Sequence, residues 1–219
     1  MWDITVLIKT FRRPEACNRL VSSIKRFYPD LPILILDDSD ETCEYGFDIG
    51  TSRARNILVD KCQTKYCLIL DDDCIFSEMT DLERGLEIAK DYDLLMVAEV
   101  ENGVITGYKG RFEVEGTTVR MVGGEPFEFI NNIFIAKTEV LRKYRWQDDL
   151  KTGEHFAFFF THRGKMKIGY TDEVEVIHSH LEGHDYRPYR DRALNYVIQF
   201  MREQGLTKRI DLFGNEINA

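Results

Sequence analysis

The sequence of 219 residues has no apolar run long enough to cross a membrane, and no apolar leader stands before its first strand-like segment. It also lacks the CxxC pairs that build zinc ribbons and redox centres. Its five cysteines, Cys17, Cys43, Cys62, Cys67 and Cys74, are odd in number, and three of them fall at apolar positions of expected elements. Such thiols read as small buried hydrophobes in a reducing compartment. HExxH, G-x-S-x-G and G-x-x-x-x-G-K-[ST] are all missing, which sets aside zinc hydrolases, nucleophile-elbow hydrolases and P-loop enzymes. There is no internal repeat, low-complexity tract or linker. Positive charge is short, with a net charge of −9. That argues against nucleic acid or another polyanion as partner while leaving room for a local basic groove. With 43% hydrophobic and 31% charged residues, the expectation is a soluble globular chain of one domain over residues 1–219.

What is present begins with "ITVLIK", residues 4–9, a β-branched run of buried-strand type. Pro14 then sits where a helix can begin, and Cys17, Leu20, Val21, Ile24 and Phe27 recur at helical spacing. "PDLP" ends that helix, and residues 33–36 form a second apolar strand that stops at Asp37 and Asp38. Thr51 or Ser52 can cap a following helix. Residues 66–70 are a third strand, Thr80 and Glu83 suit a capping box, and residues 94–100 are a fourth strand. This β-α-β-α-β-α-β order implies an α/β fold with a parallel sheet wrapped by helices.

Beyond residue 100 the pattern alternates, with glycines at turns, as in antiparallel strands. Further strands are expected over 129–136, 167–170 and 174–178. Helices are expected from 138, from about Gly153, and over 188–204. The economical picture is a nucleotide-type half, residues 1–100, continuing into a smaller antiparallel half, residues 101–219.

The chemistry concentrates in "LILDDDCIF", where three carboxylates follow an apolar strand. Carboxylates next to a core must be paired or must hold a cation. In extended chain Asp71 and Asp73 face one side and can share an ion, with Asp72 turned away. Oxygen ligands of this kind suit magnesium or manganese completed by phosphate oxygens. A set of turn or capping aspartates is the plain alternative. Lys9, Thr10, Arg12 and Arg13 follow the first strand at the same edge. Arg53, Arg55 and Asn56, in "GTSRARN", stand at an expected helix start, where anions are attracted. A divalent ion, arginines and carboxylates able to grip a ribose together describe a nucleoside diphosphate site.

The stretch "ITVLIKTFRRPE…FYPDLPILILDDSD…GTSRARNILVDKCQTKYCLILDDDCIF" resembles the nucleotide-sugar half of GT-A fold glycosyltransferases of the family 2 type, and within them the ganglioside-type β-1,4-N-acetylgalactosaminyltransferase branch. The resemblance covers the first hundred residues well and the remainder more loosely. It implies a metal-dependent, inverting transfer of a sugar from a UDP-sugar to an acceptor hydroxyl. Thr10 and Arg12 would line the nucleotide pocket, and Asp38, with Asp37, would meet the uracil or ribose. Arg55 and Asn56 would sit beside the nucleotide or hold the loop that does. Asp71 and Asp73 would be the DxD motif, with Asp72 also on the donor, and His178 would join manganese or magnesium. Asn131 and Asn132 could meet sugar hydroxyls. In "TGEHFAFFFTHRG" the family's usual Glu-Asp pair is Glu-His, which makes Glu154 the general-base candidate. His180 is a lesser metal candidate, and Arg187, Arg190 or Arg192 could close on the phosphates.

The acceptor would be a glycan, a glycolipid or another hydroxyl, met by a pocket built from loops. A short anchorless layout suggests a cytoplasmic enzyme of bacterial or viral type, with a lumenal fragment of a larger enzyme as the lesser alternative. Two rivals remain in view. One is a nucleotidyltransferase, which wants a glycine-rich loop after the first strand where this chain has "KTFRRPE". The other is a non-catalytic nucleotide or sugar binder of the same fold.

Overall fold

A computed structural model describes residues 2–179 and 187–219. The expected alternation opens the chain: β1 (Ile4–Thr10), α1 (Pro14–Phe27), β2 (Ile33–Asp37), α2 (Thr51–Lys61) and β3 (Tyr66–Asp71). A two-residue β4 (Cys74–Ile75), α3 (Leu82–Ala89) and β5 (Leu94–Glu101) follow. Then come β6 (Val104–Thr106), β7 (Gly110–Glu115), β8 (Thr118–Gly123), β9 (Phe134–Lys137), α4 (Thr138–Lys143) and α5 (Glu154–His162). The last elements are β10 (Ile168–His178), α6 (Arg187–Arg190), α7 (Ala193–Glu203), β11 (Lys208–Ile210) and β12 (Glu216–Asn218).

The main sheet runs β2-β1-β3-β9-β5-β10-β4, with β6 hairpinned onto β5. β1, β2 and β3 are mutually parallel, and β5 is parallel to β10. β9 lies antiparallel to both β3 and β5, so β5 points the same way as β3. Five strand ends therefore reach one edge: Thr10, Asp37, Asp71, Glu101 and His178. In open α/β sheets ligands bind beyond this carboxyl edge.

Strand alternation sorts the core into two layers. Val6 and Ile8 of β1 face one side, with Cys17, Leu20 and Ile24 of α1 and Leu82 of α3. Leu7, between them, faces the other side, with Ala54 and Leu58 of α2 and Phe159 of α5. The Phe-rich run of α5 belongs to this second layer, and Phe156, Phe158, Phe159 and Phe160 are all at most 4% exposed. Those rings are packing, not a sugar platform. A smaller sheet, β12-β11-β8-β7, covers this layer and includes two short strands with no apolar run to announce them.

Several local expectations are corrected. Helix α2 begins after Gly50, whose φ of 89° and lack of a side chain suit the approach to residue 151, and no Thr51 or Ser52 side chain caps it. Thr80 is no cap either: its hydroxyl donates to the Glu175 carbonyl at 2.6 Å, while Asp81 caps α3 by accepting from the Arg84 N–H at 2.9 Å. The separate strands over 167–170 and 174–178 are one strand, β10, with a register shift between Thr171 and Glu175. The strand expected over 129–136 is confined to β9, and the helix expected over 188–204 is divided into α6 and α7. All five cysteines are free. Among the described residues no helix is long and apolar enough to cross a membrane.

Candidate active site

The carboxyl edge carries a cleft of about 260 Å³ lined by Lys9, Phe11, Arg13, Asp48, Arg55, the three aspartates, Asn132, Lys151, Glu154, His178, Tyr189 and Arg192. It is built where β1, β3 and β10 end and where α2 and α5 begin.

The triple aspartate is not an extended run. Asp71 ends β3, and Asp72 and Asp73 form the turn into β4. The i, i+2 argument therefore does not govern their directions, and Asp72 is not turned away from its neighbours. Arg13 reaches both: its Nη1 lies 2.8 Å from Asp72 Oδ1 and its Nη2 lies 2.5 Å from Asp73 Oδ2. Thr10 Oγ1 donates to Asp72 Oδ2 at 2.7 Å. Asp73 Oδ1 faces His178 Nε2 at 3.2 Å. Asp71 turns to Arg55 instead, at 2.9 Å, and keeps 44% of its side-chain surface accessible.

These environments set the charges. Burial pushes Asp72 up to about 6 against the opposing pull of Arg13 and Thr10. Burial also acts upward on Asp73, but His178 and Arg13 outweigh it and hold that carboxyl well below the usual range. Asp71 is raised by its enclosure among the cleft groups, with Arg55 opposing. Burial works against a charged His178, yet its bonds to Asp73 and Glu99 prevail and push it up to about 11.

His178 ends β10 inside a ring of acids. Its Nδ1 lies 2.6 Å from Glu99 Oε1 and 2.8 Å from Glu101 Oε1. Glu99, Glu101 and His178 each bring a ligand atom within 4.8 Å of the others. The two glutamates escaped the sequence reading. Their signal was there, since "EVE" ends an apolar strand with two acids on one face.

Across the cleft, Arg55 is 3% exposed and serves two carboxylates. Its Nη1 donates to Glu154 Oε1 at 2.6 Å and its Nη2 to Asp71 Oδ1. Nη1 also reaches Asn132 Oδ1 at 3.3 Å, and the same oxygen meets His155 Nδ1 at 2.5 Å. Glu154 opens α5 after Gly153, whose φ of 71° is left-handed and beside which a Cβ would meet the Ala193 carbonyl at 2.8 Å. His155 is lowered to about 3, chiefly by burial and then by Arg55.

The remaining expected residues lie around this centre. Asp38 is fully buried, paired with Lys9 at 2.8 Å and accepting the Gly50 N–H at 3.1 Å. Asp37 is exposed and accepts the Ser39 N–H at 3.0 Å. Arg12, at φ 54°, stacks its guanidinium near Phe11, Phe47 and Tyr189. Asn56 does not face the cleft. It donates to the Trp146 carbonyl at 2.9 Å and to Asp148 at 2.6 Å, and accepts the Trp146 N–H at 3.2 Å, so it holds the 146–148 loop. Asn131 bonds Glu99 rather than opening to the cleft. Arg192 pairs with Asp48. His180 and the side chains of Arg187 and Arg190 lie outside the described residues.

Fold and edge chemistry together define the class: the architecture is the GT-A type α/β fold. Staphylococcus aureus TarS, residues 1–349 in complex with UDP-GlcNAc, matches it with a TM-score of 0.66 at 14% identity, covering 90% of this chain and 65% of that one. The UDP complex of the same protein gives a TM-score of 0.61. In sequence the chain is similar to human β-1,4 N-acetylgalactosaminyltransferase 1, at 29% identity over 206 residues, covering 80% of this chain. The mouse β-1,4 N-acetylgalactosaminyltransferase 2 is 28% identical over 202 residues. This chain spans 39% of the length of these relatives. No family model matches the chain.

Proposed function

We propose that the chain is a metal-dependent, inverting glycosyltransferase that moves a sugar from a UDP-sugar to an acceptor hydroxyl. The observation that carries this reading is the opposition of two groups across one cleft: Asp73 with His178 on the sheet edge, and Glu154 held by Arg55 at the start of α5. Similarity to named N-acetylgalactosaminyltransferases and to a fold determined with UDP-GlcNAc supports it.

The residues fit a divalent ion. Asp73 Oδ1 and His178 Nε2 stand 3.2 Å apart, facing each other. Asp73 and His178 would hold such an ion through a carboxylate oxygen and an imidazole nitrogen. Carboxylate and imidazole suit manganese or magnesium. The acids around His178 favour a positive charge at this spot, whether a proton on the ring or an ion beside it. When bound, such an ion neutralises the charge that develops on the leaving diphosphate.

The chain's own groups supply the rest. Glu154 Oε takes the proton of the attacking hydroxyl as that oxygen displaces UDP from the opposite face of the sugar. Arg55 spreads one positive charge over Glu154 and Asp71, which fixes Glu154 without fully compensating it. Asn132, tied through its Oδ1 to Arg55 and His155, is the group we assign to the sugar hydroxyls. Arg13 locks the Asp72–Asp73 turn so that Asp73 faces His178.

The test is UDP release across a panel of UDP-sugars, with and without manganese, on wild type and Asp73→Ala. Manganese-dependent release with one sugar, lost in the variant, supports the proposal and identifies the donor. Tight UDP binding with no release under any acceptor mixture supports the non-catalytic binder. No UDP binding overturns the reading.

A further inference from the structure

Most carboxylate partners in the cleft outnumber the cation they share, as Asp71 and Glu154 do around Arg55. Asp48 is the reverse. This single carboxylate accepts from Arg192 Nη1 at 3.1 Å and Nη2 at 3.2 Å, and from Lys151 Nζ at 3.2 Å. Both cations line the cleft.

Asp48 is itself held firmly. It is 9% exposed, takes a left-handed φ of 48°, and donates its N–H to the Asp38 carbonyl at 2.9 Å. Two residues on, the backbone meets the 151 segment. Thr51 N–H donates to the Lys151 carbonyl at 2.8 Å, and a Cβ on Gly50 would stand 2.4 Å from Lys151 Cα. Lys151 is thus fixed by backbone as well as by charge. Arg192 precedes α7 and its carbonyl accepts the Asn195 N–H at 3.1 Å, while its guanidinium reaches Asp48 and lies 4.7 Å from the Tyr189 ring centre. Tyr189 packs edge-on against Phe11 at 4.6 Å. The Asp48–Arg192 pair is therefore the polar half of a joint whose apolar half is Phe11–Tyr189.

We propose that Asp48 is a positioning residue: by sharing its carboxylate between Lys151 and Arg192 it seats residues 187–203 against the cleft, with one net positive charge on the wall facing the triple aspartate. On the UDP-sugar reading, on which this role in the reaction rests, that wall meets the diphosphate. Removing the carboxylate takes away a group that repels the nucleotide and also takes away the seat, so UDP affinity changes little while its exchange quickens.

Hydrogen–deuterium exchange on the full chain, with and without UDP, reads the seat directly. In Asp48→Asn, a substitution that left-handed backbone tolerates, exchange over 193–203 should rise about tenfold while 4–10 and 66–71 stay protected. Arg192→Gln should give the same pattern from the other side of the pair, so failure of one variant to fold leaves the second decisive. UDP dissociation from Asp48→Asn should be about tenfold faster, with Kd shifted less than about threefold. Unchanged exchange over 193–203 overturns the proposal. So does a rise spread over the whole chain with a lower Tm, which marks a merely structural residue. If wild type binds no UDP, the glycosyltransferase reading fails, and the exchange experiment still decides whether Asp48 seats the segment.

Discussion

The two sides of the cleft use the same residue type to opposite ends. On the sheet side, His178 is ringed by Asp73, Glu99 and Glu101 and is pushed up to about 11. On the helix side, His155 packs against Tyr108 and Phe159, lies near Arg55, and is lowered to about 3. The surroundings of His178 favour a positive charge on its ring, and those of His155 disfavour one. The difference lies in neighbours supplied by different elements: strand ends deliver acids around His178, whereas Phe159 of α5, Tyr108 before β7 and the shared guanidinium of Arg55 from α2 surround His155. A cleft of this polarity suits a cationic centre on the sheet side and a proton acceptor on the helix side.

If the sides divide the work in this way, damage to each should have its own signature. The largest effect is expected for Glu154→Gln, where UDP-sugar turnover should fall about a thousandfold, with UDP and manganese binding retained. His178→Ala should instead raise the manganese concentration for half-maximal activity by about ten- to a hundredfold, read by metal titration of turnover. Identical defects in the two variants would break the comparison. Asn56→Ala works one layer further out. It strands the Trp146 N–H and carbonyl behind the helix side, so urea unfolding should show a loss of about 2–4 kcal/mol, with the metal titration unmoved.

The effect that is smallest at neutral pH concerns titration. Because the folded value of His155 lies below its ordinary value, the unfolded chain binds the extra proton. The stability it contributes is complete above about pH 6.5 and declines as pH falls toward 3, by at most about 1.4 kcal/mol per pH unit. His155→Gln should flatten the profile in that window by this amount in pH-dependent unfolding. A profile that keeps its slope would remove His155 from the comparison.

The first hundred residues were largely legible because short apolar runs separated by amphipathic helices admit few folds. The acids at the ends of β2 and β3 could be read as edge residues for the same reason. What stayed hidden depended on long-range pairing. Phe134–Lys137 looks like any apolar strand, and nothing local says that it runs antiparallel between β3 and β5. β11 and β12 are three residues each; β11 acquires its state from β8, and β12 from β11. The turn at Asp72–Asp73 overrode the extended-chain geometry that their spacing assumed. Asn56 was legible as important but not as a loop holder, because its partners lie 90 and 92 residues away. Asp48 gave no signal at all, since its role arises from a left-handed backbone and two distant cations.

The placement of β9 also bears on how the chain reaches this structure. β3 and β5 are separated by 22 residues of sequence between Asp71 and Leu94, yet they never pair with each other. Each waits for the same four-residue strand, which is made only after the β7–β8 hairpin. Long-range closures of this kind raise contact order and slow the search. Until residue 137 is available, β3 and β5 each hold an unsatisfied edge toward the gap, and such edges invite pairing with another chain. The strand that joins β3 to β5 beside the candidate site thus closes two edges at once, and β10 covers the remaining edge of β5 later still.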